Sequence, residues 1–335
     1  MTSVVLLFAF LSAACEPTNA GHAAAPRNYV FFGREHDRIA EPSFVTHEQV
    51  TGAQLTYTWR ELEPERDRYD LQPLRERLAL LDRHGKRLFL QLQDVSFSER
   101  VLVPDYLRTD TAFHGGAARK YEGDSDSTAR FDGWVARRWD PAVRARFIKL
   151  LEAIANEFDG RIEGVVFPET AIGLGNPRFH PPGFTYEGYV QGIREMMTAA
   201  RRAFSRSCVI FYVNFMPGEW LPGTDRGYIR AVYAHADSIG AGVGGPDLLP
   251  HRRGQRNHSY PLIARRRPGV VAGVAVQDGN LADKNSATGA RVTVAELHRF
   301  ARDTLRLDYV FWGTQEPYYS TEILPYLRSL ESGDR

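Results

Sequence analysis

The sequence predicts a single-domain (β/α)8 barrel, a TIM barrel of the α/β class, on three observations. Eight short segments, mostly apolar and rich in β-branched or aromatic residues, recur along the chain. Amphipathic stretches with helical spacing separate them. The apolar segments end in polar residues, as parallel strands do where they open on the C-terminal face of a barrel. The 335 residues, 43% hydrophobic and 25% charged, suit a globular chain with a sizeable core rather than a disordered one. An open doubly wound sheet is the competing architecture. No Gly-rich dinucleotide fingerprint follows the first strand, and "GAGVGGP" leads into "DLLPHRRG" rather than into a clean helix.

Taken in order, residues 1–14 read as an export signal, because "VVLLFAFLSAAC" is a short apolar run ending in small residues at Cys15. It is too short to span a bilayer, which takes about 20 apolar residues. "LSAAC" resembles the bacterial lipoprotein cleavage box, so membrane attachment through an acylated Cys15 stands beside ordinary secretion or periplasmic release. Residues 15–27, Pro- and Ala-rich, form a linker, and the barrel spans 28–330. Cys208 sits in the apolar run "CVIFYVNF" and is expected to be a buried thiol acting as a small hydrophobe.

The eight strand segments are "NYVFFGREH" (28–36), "AQLTYTWRE" (53–61), "KRLFLQLQD" (86–94), "RIEGVVFPE" (161–169), "CVIFYVNFMP" (208–217), "DSIGAGVGGPD" (237–247), "VVAGVAVQDGN" (270–280) and "DYVFWGTQEP" (308–317). Helices lie between them. "LQPLRERLALLDRHG" repeats Leu74, Leu78 and Leu81 at helical spacing before Gly85. "DPAVRARFIKLLEAIANEFDG" starts with Asp140 as N-cap and Pro141 at the first helical position, and Gly160 closes it. Residues 95–139 exceed an ordinary loop and are expected to wall one side of a cleft.

In such a barrel the strand ends gather on one face, where the active site is built. The residues expected there are His36, Trp59, Arg60, Glu61, Gln93, Asp94, Glu169, Asn214, Gln277, Asp278, Trp312 and Glu316. Paired carboxylates suit acid and base chemistry when their surroundings keep one protonated and the other ionised. The apolar run before Pro168 and Glu169 gives Glu169 the drier setting. Trp59, Tyr57, Trp312, Tyr318 and Tyr319 are aromatic candidates for packing on the flat C–H faces of a sugar, with core filling as the plainer role for each.

The segment "WRELEPERDRYDLQPLRERL" resembles the loop and helix after strand two of clan A glycoside hydrolases, through Trp59, Glu63, Pro64, Tyr69 and Asp70. "VPDYLR" (103–108) and "RRWDPAVRARFIKLLEAIANEFDGRIEGV" resemble the corresponding parts of bacterial β-galactosidase-like members, so the likeness covers residues 50–170. It implies hydrolysis of O-glycosidic bonds of an oligo- or polysaccharide, with Glu169 as acid/base at the end of strand four and a second carboxylate as nucleophile at the end of strand seven. Two departures stand out: Pro168 occupies the place of the clan's Asn, and strand seven ends in Gln277 and Asp278 rather than Glu. Asp278 and Glu316 are the two candidate partners of Glu169. A covalent intermediate needs carboxyls about 5 to 5.5 Å apart, and inversion about 6.5 to 9.5 Å.

Lys plus Arg number 42 against 41 Asp plus Glu, which gives no charge argument for a nucleic-acid partner. Scattered histidines and the lack of CxxC or HxxxH spacing argue against a metal, and nothing calls for a cofactor. Two alternatives remain: a barrel that only binds glycans, for which the absent strand-seven Glu is the cue, and a lyase of uronic acid polymers. The cue for the lyase is the basic segment "PHRRGQRNHSYPLIARRRPG".

Overall fold

A computed structural model describes residues 25–123 and 128–330. The export segment, Cys15 and most of the linker lie outside the described residues. Eight parallel strands close into a barrel: β1 (Arg27–Gly33), β2 (Val50–Thr58), β3 (Arg87–Gln93), β6 (Gly164–Phe167), β7 (Cys208–Tyr212), β8 (Gly242–Gly245), β9 (Ala272–Val276) and β10 (Tyr309–Gly313). The ring closes where β10 pairs with β1, Tyr29 facing Phe311 in register. A separate antiparallel hairpin, β4 (Ala117–Glu122) and β5 (Arg130–Ala136), is inserted after β3. All eight predicted strand segments therefore overlap a barrel strand, and the long 95–139 connection holds the hairpin.

The sixth strand shows where the boundaries moved. Residues 237–239 end the helix Tyr228–Ile239, because Gly240 adopts φ +69° as its C-cap, and the strand begins only at Gly242. Its glycines serve close packing rather than phosphate binding. A Cβ on Gly244 would lie 1.8 Å from the Gly273 carbonyl oxygen, so only a bare backbone fits between β7 and β9.

Strand alternation sorts side chains into two cores. Tyr29, Phe89, Ile210, Tyr212, Tyr309 and Phe311 fill the barrel interior, with Phe89 packed edge-to-face 4.9 Å from Tyr309 and 5.1 Å from Phe311. Their neighbours Val30, Leu88, Leu90, Val274, Val276, Val310 and Trp312 face outward against the helices. Glu163 closes the lower end, paired with Arg27 at 2.7 Å and Arg87 at 3.2 Å and accepting from the Tyr309 hydroxyl at 2.9 Å. Cys208 is buried with its sulfur 3.3 Å from that hydroxyl. It is disulfide-bonded rather than the free thiol expected.

The expected helices form for the expected reasons. Gln72–Arg83 buries Leu74, Leu78 and Leu81. Pro141–Phe158 is capped by Asp140, whose carboxylate accepts from the amides of Ala142 at 2.9 Å and Val143 at 3.3 Å. Among the described residues no helix is long and apolar enough to cross a membrane.

Candidate active site

At the C-terminal mouth of the barrel lies a cavity of about 360 Å³. Its floor is the top of the inward-facing rows: Phe31 from β1, Gln91 and Gln93 from β3, Tyr212 from β7, and Gln277 just after β9. Two carboxylates face it. Glu169 and Asp247 arrive by the same local device: a four-residue strand, β6 or β8, is followed by a proline and then the acid, Pro168–Glu169 and Pro246–Asp247. Proline cannot donate to a ladder, so the strand stops there and the next residue turns into the mouth.

Both carboxyls are half-buried, and burial raises the pKa of each above the ordinary value. For Glu169 burial outweighs the hydrogen bond from Asn214, and the neighbouring Asp247 charge pushes the same way, against Lys120 and Arg138. For Asp247 burial outweighs the hydrogen bond donated by the Asn280 amide at 2.9 Å. The Asn214 amide donates to Glu169 Oε2 at 2.6 Å. Its own oxygen accepts from the backbone of Ala171 at 3.3 Å and Phe215 at 3.0 Å, which fixes the orientation of the carboxamide. The Glu169 backbone is held as well. Arg138, buried, donates to the Glu169 carbonyl at 2.9 Å and to the Tyr189 hydroxyl at 3.1 Å, while clamping Asp94 through two contacts of 2.9 and 2.5 Å.

Of the residues expected at the strand ends, Glu169, Gln93 and Gln277 line the cavity and Asn214 touches Glu169. The others do not reach it. Asp94 is spent on Arg138 beneath the site. Trp59 is buried against Phe147 and donates to Glu63 at 2.8 Å, and Trp312 is buried facing the helices and donates to Asn28 at 2.9 Å. Arg60 pairs with Asp105. Glu61 forms a capping box with Thr58 and pairs with Arg34. Burial would raise the Glu61 carboxyl, but the Thr58 and Arg34 hydrogen bonds outweigh it and hold the pKa below the ordinary value. His36 donates from Nε2 to the Thr56 carbonyl, 2.8 Å away, and packs in a tilted arrangement on Tyr57.

Asp278 and Glu316 are exposed and line a neighbouring hollow of about 520 Å³ that shares Phe31 and Gln277 with the cavity. Glu316 is engaged there by Ser320, whose hydroxyl donates at 2.6 Å.

Asp247 is the residue the sequence expectations left out. The signal was present in the repeated Pro–acid ending of strands four and six.

The resemblance motif also has a structural role. Glu63, fully buried, is paired with Arg146 from the helix Pro141–Phe158, so Trp59, Glu63 and Arg146 lock the loop after β2 onto that helix, away from the cavity. Two arginines of the basic segment are likewise occupied elsewhere. Arg252 pairs with Asp283 at 2.7 Å, and Arg266 donates to the carbonyls of Val270, Ile263 and Leu305 at 2.8 to 3.0 Å. Among the described residues no group of three or more His, Cys, Asp or Glu side chains could hold a metal ion.

No family model matches the sequence, and no curated protein matches it. Solved structures share its fold. A GH5_18 protein from Streptomyces cattleya in complex with Manb1-4GlcNAc superposes with a TM-score of 0.56 at 14% identity, over 93% of this chain and 82% of that one. The catalytic domain of a β-amylase from Paenibacillus polymyxa gives 0.50 at 10% identity, over 86% and 93%. Endo-glycoceramidase II from Rhodococcus sp., in a cellobiose-like imidazole complex, gives 0.50 at 12% identity, over 88% and 74%. The shared element is a closed eight-strand parallel barrel of the kind glycoside hydrolases use.

Proposed function

We propose that this protein is a clan A-like glycoside hydrolase in which Glu169 is the general acid and Asp247 its carboxylate partner. The observation that supports this most is the pair itself: two acids, each delivered by a proline at the end of a strand, face one small cavity at the mouth of a barrel whose structural neighbours are glycosidases. Glu169, with its pKa raised by burial and by a nearby like charge, is suited to hold a proton until a leaving-group oxygen takes it. Asn214 leaves one Glu169 oxygen for that transfer by occupying the other. Asp247, with Asn280 donating to it, is suited to meet charge developing on the sugar or to activate water. Gln91, Gln93 and Gln277 supply amide donors and acceptors for hydroxyl groups, and Phe31 and Tyr212 the apolar floor. With residues 1–14 removed on export, which an intact-mass measurement would check, the substrate is met outside the cytoplasm.

The test is a glycan panel with wild type and Glu169→Gln, followed by NMR of the product anomer. The variant should slow natural substrates by about 10² to 10⁴, while aryl glycosides with good leaving groups suffer less. Near-normal turnover of Glu169→Gln on a natural substrate would remove the assignment. A second reading, a barrel that binds glycans without cleaving them, is favoured by one observation: an amide, Gln277, lines the cavity after strand seven where the clan would place its nucleophile. Saturable binding of a glycan that is never hydrolysed would establish it.

A further inference from the structure

A larger groove of about 880 Å³ begins beside the general acid, and two of its floor residues are tied to it. The amides of Ala171 and Phe215, both in the groove, donate to the same Asn214 oxygen whose carboxamide holds Glu169. The groove is also lined by Gly173, Gly175 and Trp220.

Trp220 is 59% exposed, one of two exposed large hydrophobic side chains among the described residues, the other being Phe97 at the edge of the cavity. Exposure of an indole to water is unfavourable, and the surrounding loop is built to maintain it. Phe215 stacks beneath the ring at 5.5 Å and 12°. The Trp220 and Thr224 backbones exchange hydrogen bonds of 2.9 and 2.7 Å, and the Leu221 amide donates to His258 at 2.8 Å. Glu219, buried next to it, accepts from the amides of Arg226, Tyr228 and Ile229 at 2.8 to 3.1 Å, so its charge is spent on the loop.

Among the described residues no Lys or Arg lines the groove, and its charged side chains are Glu122 and Glu219. A carboxylated or sulfated chain finds no cation there, whereas flat C–H faces match an indole and scattered hydroxyls match the glycine-rich backbone.

Resting on the glycosidase reading, we infer that this groove is a leaving-group subsite for a neutral oligosaccharide, with Trp220 as its platform. The side follows from the acid. Glu169 must stand at the scissile oxygen, Asp247 shares the cavity with it, and the groove is lined by neither acid, so a sugar chain threading both places its glycone in the cavity and its leaving group over Trp220. Substrates with several units beyond the scissile bond then draw on this surface, and uronic acid polymers are disfavoured.

The experiment uses Glu169→Gln protein, in which a bound chain is not consumed, titrated with cellohexaose, mannohexaose, xylohexaose and chitohexaose and with the corresponding monosaccharides. Calorimetry and iodide quenching of tryptophan fluorescence are the readouts. At least one hexaose should bind and shield a tryptophan from iodide. Adding Trp220→Ala should weaken that binding at least about tenfold and abolish the shielding, while Trp220→Phe, which keeps an aromatic face, should recover most of the affinity. Hexaose affinity unchanged by Trp220→Ala, or monosaccharide binding that no hexaose exceeds, would overturn the subsite and leave the glycosidase reading intact. No binding by any of these sugars, together with no hydrolysis by wild type across the panel, would overturn both.

Discussion

The mouth of the barrel has two arcs that look alike in sequence and differ in the folded chain. On the arc of strands β6, β7 and β8, the acids Glu169 and Asp247 and the amide Asn214 face inward and contact one another or the cavity. On the arc of β9, β10, β1 and β2, Gln277 apart, the strand ends are spent elsewhere: Asp278 and Glu316 are exposed, Glu61 caps a turn, and Trp59 and Trp312 are buried in the outer core. A polar residue at a strand end therefore does not by itself mark a site. What distinguishes Glu169 and Asp247 is a short strand stopped by proline, which carries the next side chain to the cavity wall instead of up into solvent.

The largest effect that can test the contrast is on rate. Asp247→Asn should lower kcat/KM by about 10² or more, and it should do so on natural substrates and aryl glycosides alike, because loss of a nucleophile or base does not depend on the leaving group. Equal losses in Asp278→Asn and none in Asp247→Asn would reverse the two arcs.

Stability tests the outer arc. Trp312 is fully buried, its indole N–H satisfied by Asn28 at 2.9 Å, so Trp312→Ala should cost about 3 to 5 kcal/mol in denaturant unfolding. A cost under about 1 kcal/mol would mean that the ring is not a packed part of the core.

Much of this was legible in the chain. Eight apolar segments gave the barrel, and Asp140 with Pro141 gave a helix start, because burial on both strand faces and N-capping leave local signatures. Glu169 was legible because its strand is a plain apolar run. Asp247 was passed over although its segment reads as the sixth strand, since that strand is largely glycine, offers no plain apolar run, and its glycines make sense only beside the backbone of Gly273. Trp312 could have been placed by counting. It alternates with Phe311, and one of the two must face outward. The Asp94–Arg138 pair was beyond reach, because its members are 44 residues apart and meet only through the inserted hairpin.

A smaller effect separates the inner acids by pH. The folded pKa of both Glu169 and Asp247 lies above the ordinary values of 4.5 and 3.8. The native state thus binds protons more tightly than the unfolded chain does. Their contribution to stability is fully present below those ordinary values and is lost as pH rises through the folded pKa. Glu169→Gln and Asp247→Asn cannot ionise, so each should gain in Tm relative to wild type as pH is raised from about 4 to 8, with the gap closing at the acid end. A gap that stays flat across this range would show that the cavity does not desolvate these acids.

The smallest effects should come from the outer acids. Asp278 is exposed, and its replacement by Asn removes a charge facing water, so both stability and rate should stay near wild type, with ΔΔG within about 0.5 kcal/mol. Glu316 accepts from the Ser320 hydroxyl at 2.6 Å and its amide at 3.2 Å. Glu316→Gln keeps an acceptor oxygen and should be nearly neutral, whereas Glu316→Ala leaves the turn without its acceptor and should cost about 0.5 to 1.5 kcal/mol, with kcat/KM little changed. Unfolding curves and initial rates measured on the same preparations would check both. A kcat/KM for Glu316→Gln reduced by two orders of magnitude at unchanged stability would move the second carboxylate to the eighth strand and give the neighbouring hollow, rather than the cavity at Asp247, the role of holding the sugar.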